Sequence, residues 1–420
     1  MARDLVCFSH LRWDFVYQRP NHLMARAARD RRVFFVEEPT FDGHALPHLT
    51  TVMREGVTVA TPHLPAGLAA DASLLALRSL VDELVRAERI RQPVLWYYTP
   101  MSLPWTRHLR AAATVFDSMD NLAGFRGAAP ELLRLEAELV ERADLVFCGG
   151  ASLHERMRHR HPASHSFPSS VDVAHFAQAR AGLPDPADQA AIGRPRIGYA
   201  GVIDERVDVA LIDGVATARP DWQIILVGPV VKIAAEDLPT RPNIHRLGMK
   251  DYAELPAYLG GWDIGWMPFA HNEATRYISP TKTPEYLAAG LPVVSTSIRD
   301  VVEPYGTKDL VSIADGVAAA TSAIEGALAE RQADQARVDA FLASRSWDRT
   351  WTAMAELVDQ LAAPALDEPA PSRRPATDLV RSGAGVAHPI AGAVPAGMAG
   401  ASLAGSQVAA GRAGRAGKGG

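Results

Sequence analysis

The stretch ISPTKTPEYLAAGLPVVS, Ile278–Ser295, changes character twice in a short span. A polar, proline-broken approach gives way to one short helical pattern, which Gly290 and Pro292 end before an apolar, β-branched run. Thr283 followed by Pro284 reads as a helix start with Thr283 as N-cap and proline in the first turn. A glycine stop and the run LPVVS then predict a buried strand. A helix feeding directly into such a strand is half of a β-α-β unit, which commits the region to a parallel sheet. The segment holds one carboxylate, Glu285, close to Lys282. Placed in the first turn it complements the helix dipole, or it holds a ligand at the strand ends.

The same alternation extends in both directions. Apolar runs spaced to leave room for a helix occur in the first half at DLVCFS, RVFFVEE, GVTVA, PVLWYYT, ATVFDSM and ADLVFCGG. In the second they occur at RIGYAG, QIILVGP, NIHRLG, DIGWMPF, LPVVST and DLVSI. Between the sets lies an Ala-, Pro- and Asp-rich stretch, 177–195. The expected organisation is α/β: a doubly wound domain over 1–176, a linker over 177–195 and a second doubly wound domain over 196–345, with a cleft where the strand ends face each other. From Ser346 to Leu361 the residues Trp347, Trp351, Met354, Leu357, Val358 and Leu361 share a helical face, predicting a helix over 346–362 that docks back on the first domain. Residues 363–420, rich in Ala, Gly and Pro, read as a disordered tail.

Composition narrows the function. With 48% hydrophobic and 22% charged residues and a formal charge of −5, the 420-residue chain reads as globular and has no general affinity for nucleic acid. The tail from Pro364 carries six basic and three acidic residues, so the folded part is the more acidic portion. Cys7 and Cys148 sit within apolar runs and read as buried thiols. The N-terminus lacks an apolar core long enough for a signal peptide or a span, pointing to a cytoplasmic protein. Arg26, Arg29, Arg31 and Arg32 form a basic cluster that is either a solvated helix end or a peripheral contact with anionic lipid. His154, His159, His161 and His165 lack partnering acids in a ligand arrangement, so no metal site is expected. The first strand is not followed by a P-loop, a nucleophile elbow or a G-x-G-x-x-G turn, which removes the best evidence for ATPase, α/β-hydrolase and dehydrogenase chemistry.

PTKTPEYLAAGLPVVS resembles the E-(A/Y)-(M/L)-A-x-G-x-P-V-(V/I) signature of retaining, GT-B fold glycosyltransferases, especially glycosyltransferase family 4. Other segments resemble that family in the expected order: FPSSVDVAHF near the end of the first domain, YAGVIDER at the phosphate loop, and NIHRLGMKDYAELPAYLGGWDIGWMPF around the base site. The opening FSHLRWDFVYQRPNHLMARAA is similar to the teichuronic-acid-type transferases within the group. The resemblance implies a GT-B architecture of two Rossmann-like domains facing a central cleft. It implies metal-independent, retaining transfer of a hexose from a UDP- or GDP-sugar to a carbohydrate or lipid-linked acceptor, with no further cofactor. In that reading Glu285 takes the ribose hydroxyls, while Thr281, Lys282, Thr283, Gly201, Arg206, Lys232, Gly248 and Met249 surround the donor.

Departures from the family pattern are specific. Tyr277 stands where the first of the family's two glutamates is expected, and Val202 where an arginine follows the first glycine of the second domain. Glu273 is then a candidate for the donor sugar. Asp117 and Asp120 in DSMD, placed just after a strand, are the remaining candidate catalytic acids, with a helix N-cap as the alternative for Asp117. After the first strand, His10, Trp13, Asp14, Gln18 and Arg19 are candidates to read the acceptor. Two other readings stay open: a GT-B sugar-nucleotide epimerase, and a non-catalytic nucleotide-sugar-binding or scaffold protein.

Overall fold

The computed structural model describes residues 2–330 and 334–362, and the expected disordered tail lies outside them. Two sheets organise the chain. The first contains β1 (Leu5–Phe8), β2 (Val33–Val36), β3 (Thr40–Asp42), β4 (His48–Arg54), β5 (Val57–Pro65), β6 (Val94–Tyr97), β7 (Ala113–Ser118), β8 (Leu145–Cys148) and β9 (Ser164–Ser166). Their order is β3-β5-β2-β1-β6-β7-β8-β9, all parallel, with β4 added antiparallel to β5. The second contains β10 (Arg196–Ala200), β11 (Gln223–Val227), β12 (Ile244–Gly248), β13 (Ile264–Met267), β14 (Val293–Ser295) and β15 (Ser312–Ile313), ordered β12-β11-β10-β13-β14-β15 and parallel throughout.

Strands buried on both faces form the centres: β1, β2, β6 and β8 are buried at every residue, as are β10, β13 and β14. That is why they read as continuous apolar runs, and all twelve runs named above correspond to strands. The three strands missed by sequence, β3, β4 and β9, lie at the sheet margin, and β4 (HLTTVMR) has no buried residue to give an apolar signal.

The last helix, Trp347–Ala362, returns to the first sheet. Trp347, Trp351, Met354 and Val358 join Leu5, Leu23, Met24 and Trp96 in one core, while Leu361 is exposed and Ala362 takes the buried position instead. The rings of Trp351 and Trp96 lie 6.1 Å apart, and Trp347 stacks on His22 at 4.7 Å. The basic cluster is spent on this junction and its neighbours. Arg26 and Arg29 pair with Asp348, Arg31 with Asp359, and Arg32 with Asp4.

The stretch between the sheets differs from a free linker. Val171, Phe176 and Ala179 already pack in the second core. Gln189, fully buried, accepts from the Trp262 indole at 2.8 Å and donates to the Tyr258 carbonyl at 3.0 Å. Residues 177–195 therefore ride with the second half, and the crossing lies near Val171. There Val171 N–H donates to the Arg345 carbonyl at 3.0 Å, placing the outgoing and returning chain side by side.

Candidate active site

The helix carrying Glu285 runs Lys282–Ala288, two positions earlier at its cap than the sequence suggests. Thr281 is the N-cap, whereas Thr283 is fully buried with its hydroxyl against Met267 Sδ at 3.5 Å. The β-branched side chain of Thr283 thus fills the core beneath the helix. Thr281 instead favours the ionised Glu285 carboxylate. Burial pushes the pKa of Glu285 up from 4.5 to about 7, against the opposing pull of Lys282 and Thr281. Burial also lowers Lys282 from 10.5 to about 8; Arg206 adds to the fall, and Glu285, Asp204 and Asp120 oppose it.

Around this pair the strand ends of the second sheet converge. Gly201 follows β10 with φ +149°, and a Cβ there would overlap Cε and Nζ of Lys282. Glycine at 201 is what lets the lysine lie across the strand end. Its neighbour Gly228, after β11, is held as closely: a Cβ there would overlap the Gly201 carbonyl oxygen. Lys282 Nζ sits 5.3 Å from the Tyr199 ring centre. Arg206, in the loop after β10, is fixed by buried Asp204 through bonds of 2.8–3.1 Å. Burial works against its charge, but Asp204 and Asp120 outweigh this and raise its pKa. Lys232, with φ +62°, places Nζ 4.5 Å from the centre of the Phe125 ring, and the Arg206 guanidinium lies 5.4 Å from the same ring. Three cations are thus gathered about one aromatic ring and one glycine-lined strand end. Gly248 closes β12 with φ +72° and accepts from Gly228 N–H at 2.8 Å; Met249 beside it is exposed.

From the first half, two of the expected residues reach this cluster. Asp120 faces it: burial raises its pKa, Arg206 lowers it and Asp204 raises it. His10, at the end of β1, is lowered to about 4 by burial and by Lys232, so its ring is neutral at physiological pH, and its buried Nδ1 has no hydrogen-bond partner.

The structure places other candidates elsewhere. Asp117 lies within β7, not after it, and is fully buried against Arg19. Arg19 Nε and Nη2 donate to the carboxylate at 2.9–3.2 Å and Nη1 donates to the Phe167 carbonyl at 2.7 Å. This sealed ion pair ties the first helix to the sheet, so neither residue is free for substrate, and Asp117 caps no helix. Trp13 is core, edge-on to Phe35 at 5.1 Å. Asp14 pairs on the surface with Arg54 at 2.9 Å, and Gln18 is the N-cap of the helix Arg19–Ala27, its N–H donating to Asn21 Oδ1. Glu273 is exposed, 3.3 Å from Arg276, on the wall of a different cavity. His154 and His161 bond the Ser164 and Ala143 carbonyls. Sequence reasoning missed Asp204 and Phe125. The first looked like one more loop acid, and the second, in LAGFRG, gave only an aromatic among glycines as a signal.

Residues 194–330 match the family model described as glycosyl transferases group 1. The matched residues hold the whole second sheet, β10 to β15. Its strand-end cluster contains Glu285, Lys282, Arg206 and Lys232, all inside the matched residues. Over 239 residues, 53% of the chain, the sequence is 27% identical to TuaH of Bacillus subtilis (strain 168), named as a teichuronic acid biosynthesis glycosyltransferase. The match spans 60% of that relative's length. Among solved structures, a sucrose-phosphate synthase from Thermosynechococcus elongatus superposes with a TM-score of 0.61 at 16% identity, covering 86% of this chain and 99% of the other. An E. coli trehalose-6-phosphate structure bound with UDP-2-fluoro glucose gives 0.62 at 12% identity, covering 86% and 99%. Anabaena HepE in complex with UDP and glucose gives 0.59 at 15% identity, covering 84% and 99%. The two sheets together form the GT-B fold expected from the sequence.

Proposed function

We propose that this protein is a glycosyltransferase that moves a hexose from a nucleotide diphosphate sugar to a glycan or lipid-linked acceptor. One observation carries the reading: Arg206, Lys282 and Lys232 gather at the strand ends beside Glu285. A leaving diphosphate needs its charge neutralised in a partly desolvated place, and this cluster supplies it through side chains alone, which favours a metal-independent reaction. Glu285, kept half-buried beside Lys282, is the acceptor for the ribose hydroxyls. UDP is the first choice of nucleotide, because two of the similar structures hold UDP or a UDP-sugar.

Transfer proceeds with retention by same-face attack. The bond from the anomeric carbon to the phosphate oxygen breaks, the bond to the acceptor oxygen forms, and the acceptor proton passes to the leaving phosphate. Asp120 and His10 orient the sugar or the acceptor. Isothermal titration with UDP and GDP tests the donor site: one of the two binds, and Lys282→Gln weakens it. Failure of both nucleotides to bind, or binding indifferent to Lys282→Gln, overturns the reading. A second reading, a sugar-nucleotide epimerase, is favoured by Asp120 and His10 facing the cluster. Conversion of a UDP-sugar without any acceptor would select it.

A further inference from the structure

A cavity of about 760 Å³ opens between the two halves, apart from the Glu285–Lys282 cluster. Ser152, Glu155 and Arg156 come from the first half, and the loops 271–277 and 297–299 from the second. Arg156, Arg276 and Arg299 line it with His271, against two carboxylates, Glu155 and Glu273. Tyr277, on the same wall, has the Arg156 guanidinium 5.9 Å and that of Arg276 5.4 Å from its ring centre.

The wall between this cavity and the cation cluster is one loop thick. Asp120 and Phe125 turn toward the cluster, while Asn121, between them in sequence, accepts from Arg156 at 2.9 Å. Gly124 packs against the Glu273 backbone so closely that a Cβ would reach 2.7 Å from its carbonyl oxygen. Asn272 donates to the carbonyl of Glu205, next to Arg206, at 2.7 Å. A molecule in the cavity therefore lies one loop away from the cation cluster.

We propose that this cavity receives an anionic acceptor, a glycan bearing a carboxylate or phosphate, with Arg276 and Arg299 as the groups that recognise its charge. The inference rests on the glycosyltransferase reading above. Arg276 pairs with Glu273 at 3.3 Å and Arg299 with Glu155, both in solvent-exposed pairs. Exposed pairs contribute little to stability, so the two guanidiniums can exchange these partners for a ligand at small cost. Arg156 is different: it also bonds the buried carboxylate of Glu136, and serves as structure.

The test uses the full chain saturated with UDP and three probes: methyl β-glucuronide, glucose 1-phosphate and methyl β-glucoside. The glucuronide or the phosphate should bind more tightly than the neutral glucoside, and the preferred one identifies the anion. In the double variant Arg276→Gln/Arg299→Gln that preference should fall about tenfold or more, as expected for lost charge-assisted hydrogen bonds, with UDP affinity and thermal unfolding as controls for folding. Equal binding of all three probes, or an anion preference unchanged in the double variant, overturns the proposal while UDP binding leaves the donor site intact. If UDP does not bind but the preference is present and lost in the variant, the donor reading fails and the anion site stands.

Discussion

Glu285→Gln separates what the carboxylate does for a ligand from what it costs the fold. Glutamine keeps the shape and one acceptor oxygen and removes the buried charge. In the folded protein Glu285 has its pKa raised from 4.5 to about 7. A rise of that size is about 3 kcal/mol of free energy lost when the group ionises in place. Because the folded pKa is the higher one, the loss is absent below about pH 4.5, grows between 4.5 and 7, and is complete above. Lys282 loses an attractive partner in the variant, which offsets part of the gain. Glu285→Gln should therefore be more stable than the parent by about 1–3 kcal/mol at pH 8 and no different at pH 4. Nucleotide binding should move the other way. Replacing a charged acceptor of ribose hydroxyls by a neutral one should weaken UDP by about 1–2 kcal/mol, roughly 5- to 30-fold. Denaturant unfolding at the two pH values and calorimetric titration at pH 7.5 measure both. A variant that is less stable at pH 8, or that binds UDP with parental affinity, refutes the assignment.

UDP affinity itself should peak between about pH 7 and 8, where Glu285 is ionised and Lys282 still carries its proton; titrations across pH 5.5–9.5 would show the two limbs. Gly201→Ala should displace Lys282 and strain a backbone at φ +149°, so affinity for UDP should drop about tenfold or more while uridine, lacking the diphosphate, binds as before. Asp117→Asn should destabilise the protein by about 3–5 kcal/mol by leaving Arg19 unpaired in the core, whereas Asp117→Leu combined with Arg19→Met should recover much of the loss, as read by urea unfolding. Trp351→Ala should cost about 3–5 kcal/mol and loosen the last helix from the first sheet, visible as faster amide exchange over 347–362.

The strands were legible because parallel sheets buried on both faces must be written in unbroken apolar runs, and the last helix because Trp347, Trp351, Met354 and Val358 recur at helical spacing. Sequence could place Glu285 and Lys282 near a helix start, since proline and glycine punctuate that helix on both sides. It could not see which polar residues fold inward. Arg19 and Asp117, 98 positions apart, meet in the core, and neither carries a local sign of its partner. Trp13, a candidate to read the acceptor, is packing, whereas Phe125, which the sequence did not single out, lies beneath two cations. Which role an aromatic takes is fixed by long-range contacts that no periodicity records.

The outgoing chain at Val171 and the returning chain at Ser346 run alongside each other as a short bridge, and the same place is held by Ser170 and Thr350 hydroxyls 2.7 Å apart. Two covalent crossings set close together act like the pin of a door: swinging about their common line stretches neither strand, while sliding or twisting the halves would pull on both. The two halves also touch beside this pin, where Ser169 N–H donates to the Ser279 hydroxyl at 3.3 Å, so a small rotation about it gives its largest change in width at the edge farthest from it.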